Sequence, residues 1–372
     1  MKRIGALVAA LVLSAATAHA HRASDAFLTV AIDGSQLRGH WEIALRDLAA
    51  VVDVDPDRNG EITWGELRGA RSEIAAGVAR ALAIRADGRA CSLRATDLQV
   101  SDRVDGRFAW IGLSGACPSP PGELSLHYRL LFDLDPTHRG ILVLTSGAVA
   151  QSAVFAPERA LVRLRVGERS PWRQFRDYLA EGVHHIWIGA DHILFLLCLL
   201  LPCVLAGPAH ARGRTRLPPV LLDVLAVVTA FTVAHSITLA LAATGVVRLP
   251  TAWTESVIAL SVVFAALCNL RRVVPRVRAR VAFGFGLVHG FGFASVLGEL
   301  GLPSGSRLLS LAAFNAGVEV GQLAIVALVF PLAYALRDSA FYRRAVVGGG
   351  SLAIAGVASW WVVERSGLRA FF

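Results

Sequence analysis

"HHIWIGADHILFLL", residues 184–197, is apolar over most of its length yet contains three histidines and an aspartate. Extended to near 183–207, the run reaches the roughly 20 residues that a helix needs to cross the hydrocarbon core of a bilayer. An ionisable side chain at membrane depth costs about 3 kcal/mol, so such groups turn toward a cavity or a partner. The stretch therefore predicts a membrane-spanning helix that carries chemistry.

Five further apolar stretches follow, near 219–245, 252–270, 280–300, 308–336 and 342–364. Together they predict a polytopic α-helical bundle of six transmembrane helices over 183–372. Composition agrees, because 55% hydrophobic residues and a mean hydropathy of +0.54 are too apolar for one soluble core but fit a chain half embedded in lipid. The formal net charge of +9 comes mostly from arginines clustered between apolar runs. That distribution reads as membrane topology and excludes nucleic acid as a partner.

Residues 1–20 combine Lys2 and Arg3, an apolar run and the small-residue pattern Ala18-His19-Ala20, which reads as a cleaved secretory signal. The region that follows would then lie outside the cytoplasm. Arginine asymmetry gives the same orientation in a bacterial inner membrane. Arg212, Arg214, Arg216, Arg271, Arg272, Arg276, Arg278, Arg280, Arg337, Arg343 and Arg344 fall in inner linkers, against Arg248, Arg307, Arg365 and Arg369 outside.

Over 21–167 the runs are short and alternating, as in "DAFLTVAID", "QLRGHWEIAL", "GRFAWIGL", "ELSLHYRLLF" and "RALVRLRV". They predict an exported β-rich, sandwich-like domain, joined to the bundle by an interfacial aromatic and charged linker, 168–182. Cys91 and Cys117 are the expected disulfide pair, since export permits oxidation while Cys198, Cys203 and Cys268 lie in apolar runs. "LRDLAAVV", a twelve-residue loop at 55–66, and "ELRGARSEIAAGVARALAI" form an EF-hand-like helix-loop-helix insertion. Its second helix is predicted from Leu67, Ile74, Val78 and Leu82 at helical spacing. The loop sets oxygen ligands for Ca²⁺ at Asp55, Asp57, Asn59, the Glu61 carbonyl, Thr63 and Glu66, with Gly60 at the sharp turn. A single loop with three carboxylate side chains, in a compartment where Ca²⁺ need not fluctuate, reads as a structural clip. His21, at the mature N-terminus, could chelate copper only with a second histidine such as His40 or His138; coincidence of the cleavage site is the stronger reading.

The spans hold the other chemistry. His185 and His192 are seven residues apart and share a face of one helix, with Gly189 between them and Asp191 beside them. Thr232, His235 and Ser236 share a sector of the second span, and His289 in the fourth is flanked by glycines. In the fifth, Asn315, Glu319 and Gln322 align, while Gly317 and Gly321 form a small-residue packing stripe. Imidazole with a nearby carboxylate is a ligand set for a divalent transition metal. The ligands expected from the residues are His185, Asp191, His192, His235, His289 and Glu319, supported by Asn315, Gln322 and Ser236.

"HHIWIGADHILFLL", "TAFTVAHSITLAL", "FGLVHGFGFA" and "NAGVEVGQ" resemble the HupE/UreJ family of bacterial membrane proteins. "WEIALRDL", "DRNGEITWGEL" and "LLFDLDPTHRGIL" resemble its long branch, which carries an extracytoplasmic domain. The resemblance implies nickel as the transported ion. It also places the family's first-span motif, His, five residues, Asp-His, on His185, Asp191 and His192. The second motif matches only at His289 and Gly290; its glutamate is missing, and Glu299 or Glu319 would take that role. A metal transporter is thus the leading expectation, with lipid and metal ion as partners and a metallochaperone or other partner protein at the exported domain. The alternatives are an intramembrane Zn²⁺ enzyme, for which no HEXXH, P-loop or nucleophile-elbow pattern speaks, and a membrane-anchored binding scaffold.

Overall fold

The structure is a computed structural model and describes residues 24–103, 106–168, 170–205, 217–247, 249–271, 278–292 and 304–366. The expected signal segment, His21, Glu299, seven of the fifteen arginines assigned to linkers and the end of the fourth apolar stretch lie outside the described residues. The chain divides into two compact units, one essentially Arg22–Tyr178 and one containing Leu179–Ser295 and Leu311–Phe372.

Among the described residues the first unit has ten strands. A six-stranded sheet has the order β5-β6-β2-β1-β8-β9, from Ser92–Arg103, Gly106–Ala116, Gln36–Ala44, Asp25–Asp33, Arg139–Ser146 and Val149–Phe155. A four-stranded sheet has the order β10-β7-β3-β4, from Leu161–Arg165, Glu123–Tyr128, Leu82–Ala86 and Arg89–Ala90. All neighbours pair antiparallel except β1 with β8. Alternation along β7 and β10 sends Leu124, Leu126, Val162 and Leu164 into a core shared with Leu28, Trp41, Ile43 and Ile111 of the larger sheet. Strand β8, "RGILVLTS", is buried on both faces over most of its length, so it lacks the period-two signature of a half-exposed strand. Cys91 and Cys117 are joined by a disulfide.

Between β2 and β3 the insertion forms α1 (Leu45–Ala49), α2 (Trp64–Gly69) and α3 (Arg71–Ala81). Two expectations change here. "LRDLAAVV" does not run as a helix into the loop, because α1 ends at Ala49 and Val52 and Val54 are drawn into the core. Leu82 is the first residue of β3 rather than the end of a helix, with φ −133 and ψ 120, because β7 offers it a strand partner at Tyr128.

A buried polar chain crosses the core of this unit. Tyr128 OH donates to His138 Nε2 at 2.7 Å, His138 Nδ1 faces Ser24 Oγ at 2.6 Å, and Ser24 Oγ donates to Asp47 Oδ2 at 2.9 Å. Burial holds the His138 imidazole down at about 4 and pushes the Asp47 carboxyl up. Both His138 nitrogens are engaged, so His138 cannot serve as the second copper ligand.

The second unit is helical. Its segments are α4 (Pro171–Ile188) from Leu179 on, α5 (Ala190–Leu200), α6 (Leu217–Ala243), α7 (Thr251–Leu270), α8 (Arg278–His289), α9 (Ser304–Leu336) from Leu311 on, and α10 (Gly350–Arg365). A π-helical segment, Tyr342–Gly349, leads into α10. Among the described residues four helical segments are long and apolar enough to cross a membrane, Val220–Ala243, Trp253–Leu270, Arg307–Leu336 and Tyr342–Arg365. The bent pair α4 and α5, if counted as one span, brings the number to five. α8, within the expected fourth span, is twelve residues long and gives way to a turn at residues 290–292.

Helices approach closely where glycine removes a side chain. A Cβ on Gly317 would lie 2.1 Å from the Leu179 carbonyl oxygen, and one on Gly182 would lie 2.1 Å from that of Phe314, which fixes α4 against α9. A Cβ on Gly286 would lie 2.5 Å from the Phe231 oxygen, and one on Gly290 would lie 2.4 Å from the His235 oxygen. These contacts seat the end of α8 on α6 and so bring His289 to the His235 level.

Candidate metal centre

α4 and α5 meet at Gly189 with a bend of 73°. The first N–H groups of a helix lack intrahelical acceptors, and Asp191 Oδ1, in the first turn of α5, accepts from the His192 backbone N–H at 2.9 Å. A Cβ at Gly189 would lie 2.7 Å from His192 Nδ1, so the bend has no room for a larger residue. His185 and His192 therefore do not share a face of one continuous helix. The bend brings them together, with ring centroids 4.8 Å apart.

His235 from α6 is 6.3 Å from each of those rings, and His289, the last residue of α8, is 4.9 Å from His192. Ring nitrogens of His185, His192 and His235 all lie within 4.8 Å of one another. His192, His235 and His289 are buried among Phe195, Phe231 and their neighbours.

The hydrogen bonds assign the tautomers of three of these rings. Asp191 Oδ1 lies 3.0 Å from His192 Nδ1, and a carboxylate only accepts, so Nδ1 carries the proton and Nε2 the lone pair. Asn315 donates its amide nitrogen to the Leu311 carbonyl, which turns Oδ1 toward His235 Nδ1 at 3.3 Å and leaves the lone pair on Nε2. Ser261 spends its proton on the Ile258 carbonyl at 2.6 Å, so its oxygen accepts from His289 Nε2 at 3.0 Å and the lone pair sits on Nδ1.

His192 Nε2, His235 Nε2 and His289 Nδ1 are buried and, among the described residues, have no hydrogen-bond partner. A buried acceptor left unmade costs roughly 1–3 kcal/mol. Buried lone pairs without a donor are poorly served by a structural hydrogen-bond network and well served by a cation, and those of His192 and His235 belong to rings that gather with His185, while the His289 ring lies beside His192. The acceptors behind the rings repeat the arrangement by which metal-binding imidazoles are oriented through their second nitrogen.

The other predicted residues separate from this cluster. Glu319 Oε1 accepts from Thr229 at 3.3 Å and Gln322 Oε1 from Thr232 at 3.0 Å, so both belong to a polar seam between α6 and α9. Ser236 donates to the Thr232 carbonyl of its own helix. Asn315 is the supporting residue that reaches the cluster. Sequence reasoning missed Ser261 and Arg365; Arg365 approaches Asp191 Oδ2 at 3.3 Å across 174 residues of chain, a separation with no local signal.

In the other unit, carboxylate oxygens of Asp55, Asp57 and Glu66 lie within 4.8 Å of one another. Asp55 accepts from the Asn59 and Gly60 N–H groups, and Asn59 Oδ1 accepts from that of Glu61. Gly60 has φ +82, which suits glycine at the turn. Thr63 and Glu66 form a capping box that starts α2.

Apolar helices built around a buried imidazole cluster define a multi-pass membrane protein that handles metal ions. A family model described as HupE / UreJ protein matches residues 162–365, more than half of the chain, and the chain belongs to that family. The family is associated with nickel and cobalt transport. No curated protein matches the chain.

Proposed function

We propose that the protein is an inner-membrane transporter of a divalent transition-metal ion, nickel foremost, bound in transit by His185, His192, His235 and His289. The observation that carries this reading is the set of buried, donor-free lone pairs on His192, His235 and His289. Neutral imidazoles suit first-row divalent ions and disfavour Mg²⁺ and Ca²⁺, which take oxygen. Asp191, Asn315 and Ser261 hold the rings in the tautomers that face the ion. Glu319 lies beside the cluster rather than in it and belongs to the path only if the ion moves along the α6–α9 seam.

The proposal includes six spans, a cleaved signal segment and an extracytoplasmic β domain, an orientation supported by the arginine distribution. It further includes Ca²⁺ at the 55–66 loop as a clip, supported by the convergence of Asp55, Asp57 and Glu66. Uptake of a panel of radioactive divalent ions into cells expressing the wild type or His192→Ala tests the transport reading. Accumulation of one transition-metal ion that falls about tenfold or more in His192→Ala is expected. Equal accumulation of every ion by both, at equal membrane expression, would overturn it.

A further inference from the structure

The geometry points to Arg365 as a positioning residue that keeps Asp191 out of the metal's coordination sphere and so holds the affinity of the centre low enough for release. The inference rests on the transport reading above and deepens it.

Both oxygens of Asp191 are occupied. Oδ1 serves His192 twice, through its backbone N–H at 2.9 Å and its Nδ1 at 3.0 Å. Oδ2 accepts from Arg365 Nη1 at 3.3 Å and Nη2 at 3.5 Å. Arg365 is itself held, donating to the Glu255 carbonyl at 3.2 Å with its guanidinium 5.3 Å from the Trp361 ring centroid. The two side chains are only 11% and 16% exposed, so the pair is poorly screened by solvent.

A guanidinium is charged at every working pH, so Arg365 is a permanent cation beside the centre. It balances the Asp191 carboxylate, which spares the empty centre an uncompensated buried charge. When a divalent ion occupies the histidines, the same cation repels it and withholds Oδ2 as a ligand. The Asp-His pair of the first span thus works as orienter and ligand, in that order, with the orienter's second oxygen fastened by the last helix. Neutralising Arg365 frees that oxygen and removes the repulsion, so binding strengthens where ordinary structural damage would weaken it.

The test is equilibrium Ni²⁺ binding to purified full-length protein for the wild type, Arg365→Gln, Arg365→Met, Arg365→Lys, His192→Ala and the double variant Asp191→Asn with Arg365→Gln. Arg365→Gln and Arg365→Met are expected to bind about tenfold tighter or more, from the lost repulsion of one charge. Arg365→Lys, which keeps the charge, stays near the wild type, and the double variant loses the gain. Equal or weaker binding in the Gln and Met variants, or failure of both to fold, would assign Arg365 a structural role and overturn the inference while leaving the transport reading intact. Absence of Ni²⁺ binding by the wild type, unchanged in His192→Ala, would overturn both.

Discussion

At the scale of single residues, a buried polar group is informative through what it lacks. His138 has partners on both nitrogens and is a structural histidine; His192, His235 and His289 each have one acceptor behind the ring and none in front. The His138 contrast is testable. Its folded-state value of about 4 lies below the ordinary 6.5, so the unfolded chain binds the extra proton first as pH falls. The stability His138 supplies is complete above 6.5 and is lost as pH falls toward 4, up to about 3 kcal/mol. Asp47, raised by burial, contributes with the opposite slope above its ordinary value of 3.8. Hydrogen exchange of β1 and β8 in the full-length protein should accelerate as pH falls through 6.5 to 4, beyond the intrinsic pH effect, and His138→Gln should flatten that dependence. The residues themselves were legible in the sequence, because histidines in apolar runs stand out. Ser261 and Arg365 were not, since a serine in a span is common and an arginine at a helix end reads as topology.

At the scale of elements, local pattern succeeded where one face was exposed. β7 and β10 alternate and were readable, and β1, β2 and β6 were readable as short apolar runs between turn residues; β8 is continuously buried and was not. The bend at Gly189 was hidden because an apolar run with a glycine reads equally as one straight span, and the small residue is required both by His192 Nδ1 and by the His185 carbonyl oxygen. The carboxylate spacing of the 55–66 loop and the presence of helices on both sides were readable, whereas the C-terminal ends of those helices were not, since core contacts of Val52 and Val54 and the pairing of Leu82 with Tyr128 overrode helical periodicity. If the loop holds Ca²⁺, adding the ion should slow exchange at α2 and β3 in the full-length chain. Glu66→Gln, which removes the charge at the last ligand position, should weaken the effect about tenfold or more in Ca²⁺ concentration. Identical protection with and without Ca²⁺ in the wild type would reject the clip.

At the scale of the whole molecule, the sequence divides into an alternating, disulfide-linked β unit and a helical unit, and the family assignment covers the latter. Length and hydropathy sufficed for the class because the bilayer imposes a fixed run length. They could not give the helix–helix contacts, which depend on glycines at Gly182, Gly286, Gly290 and Gly317 meeting particular carbonyls. Those contacts bring together the histidines of α4, α5, α6 and α8 from which the proposed centre is built. The measurement that tests this most directly is X-ray absorption of the Ni²⁺-loaded full-length protein. The account predicts a first shell of three or four imidazole nitrogens at about 2.0–2.1 Å, with one imidazole lost in His192→Ala. A shell of oxygens alone, or one unchanged by that substitution, would contradict it.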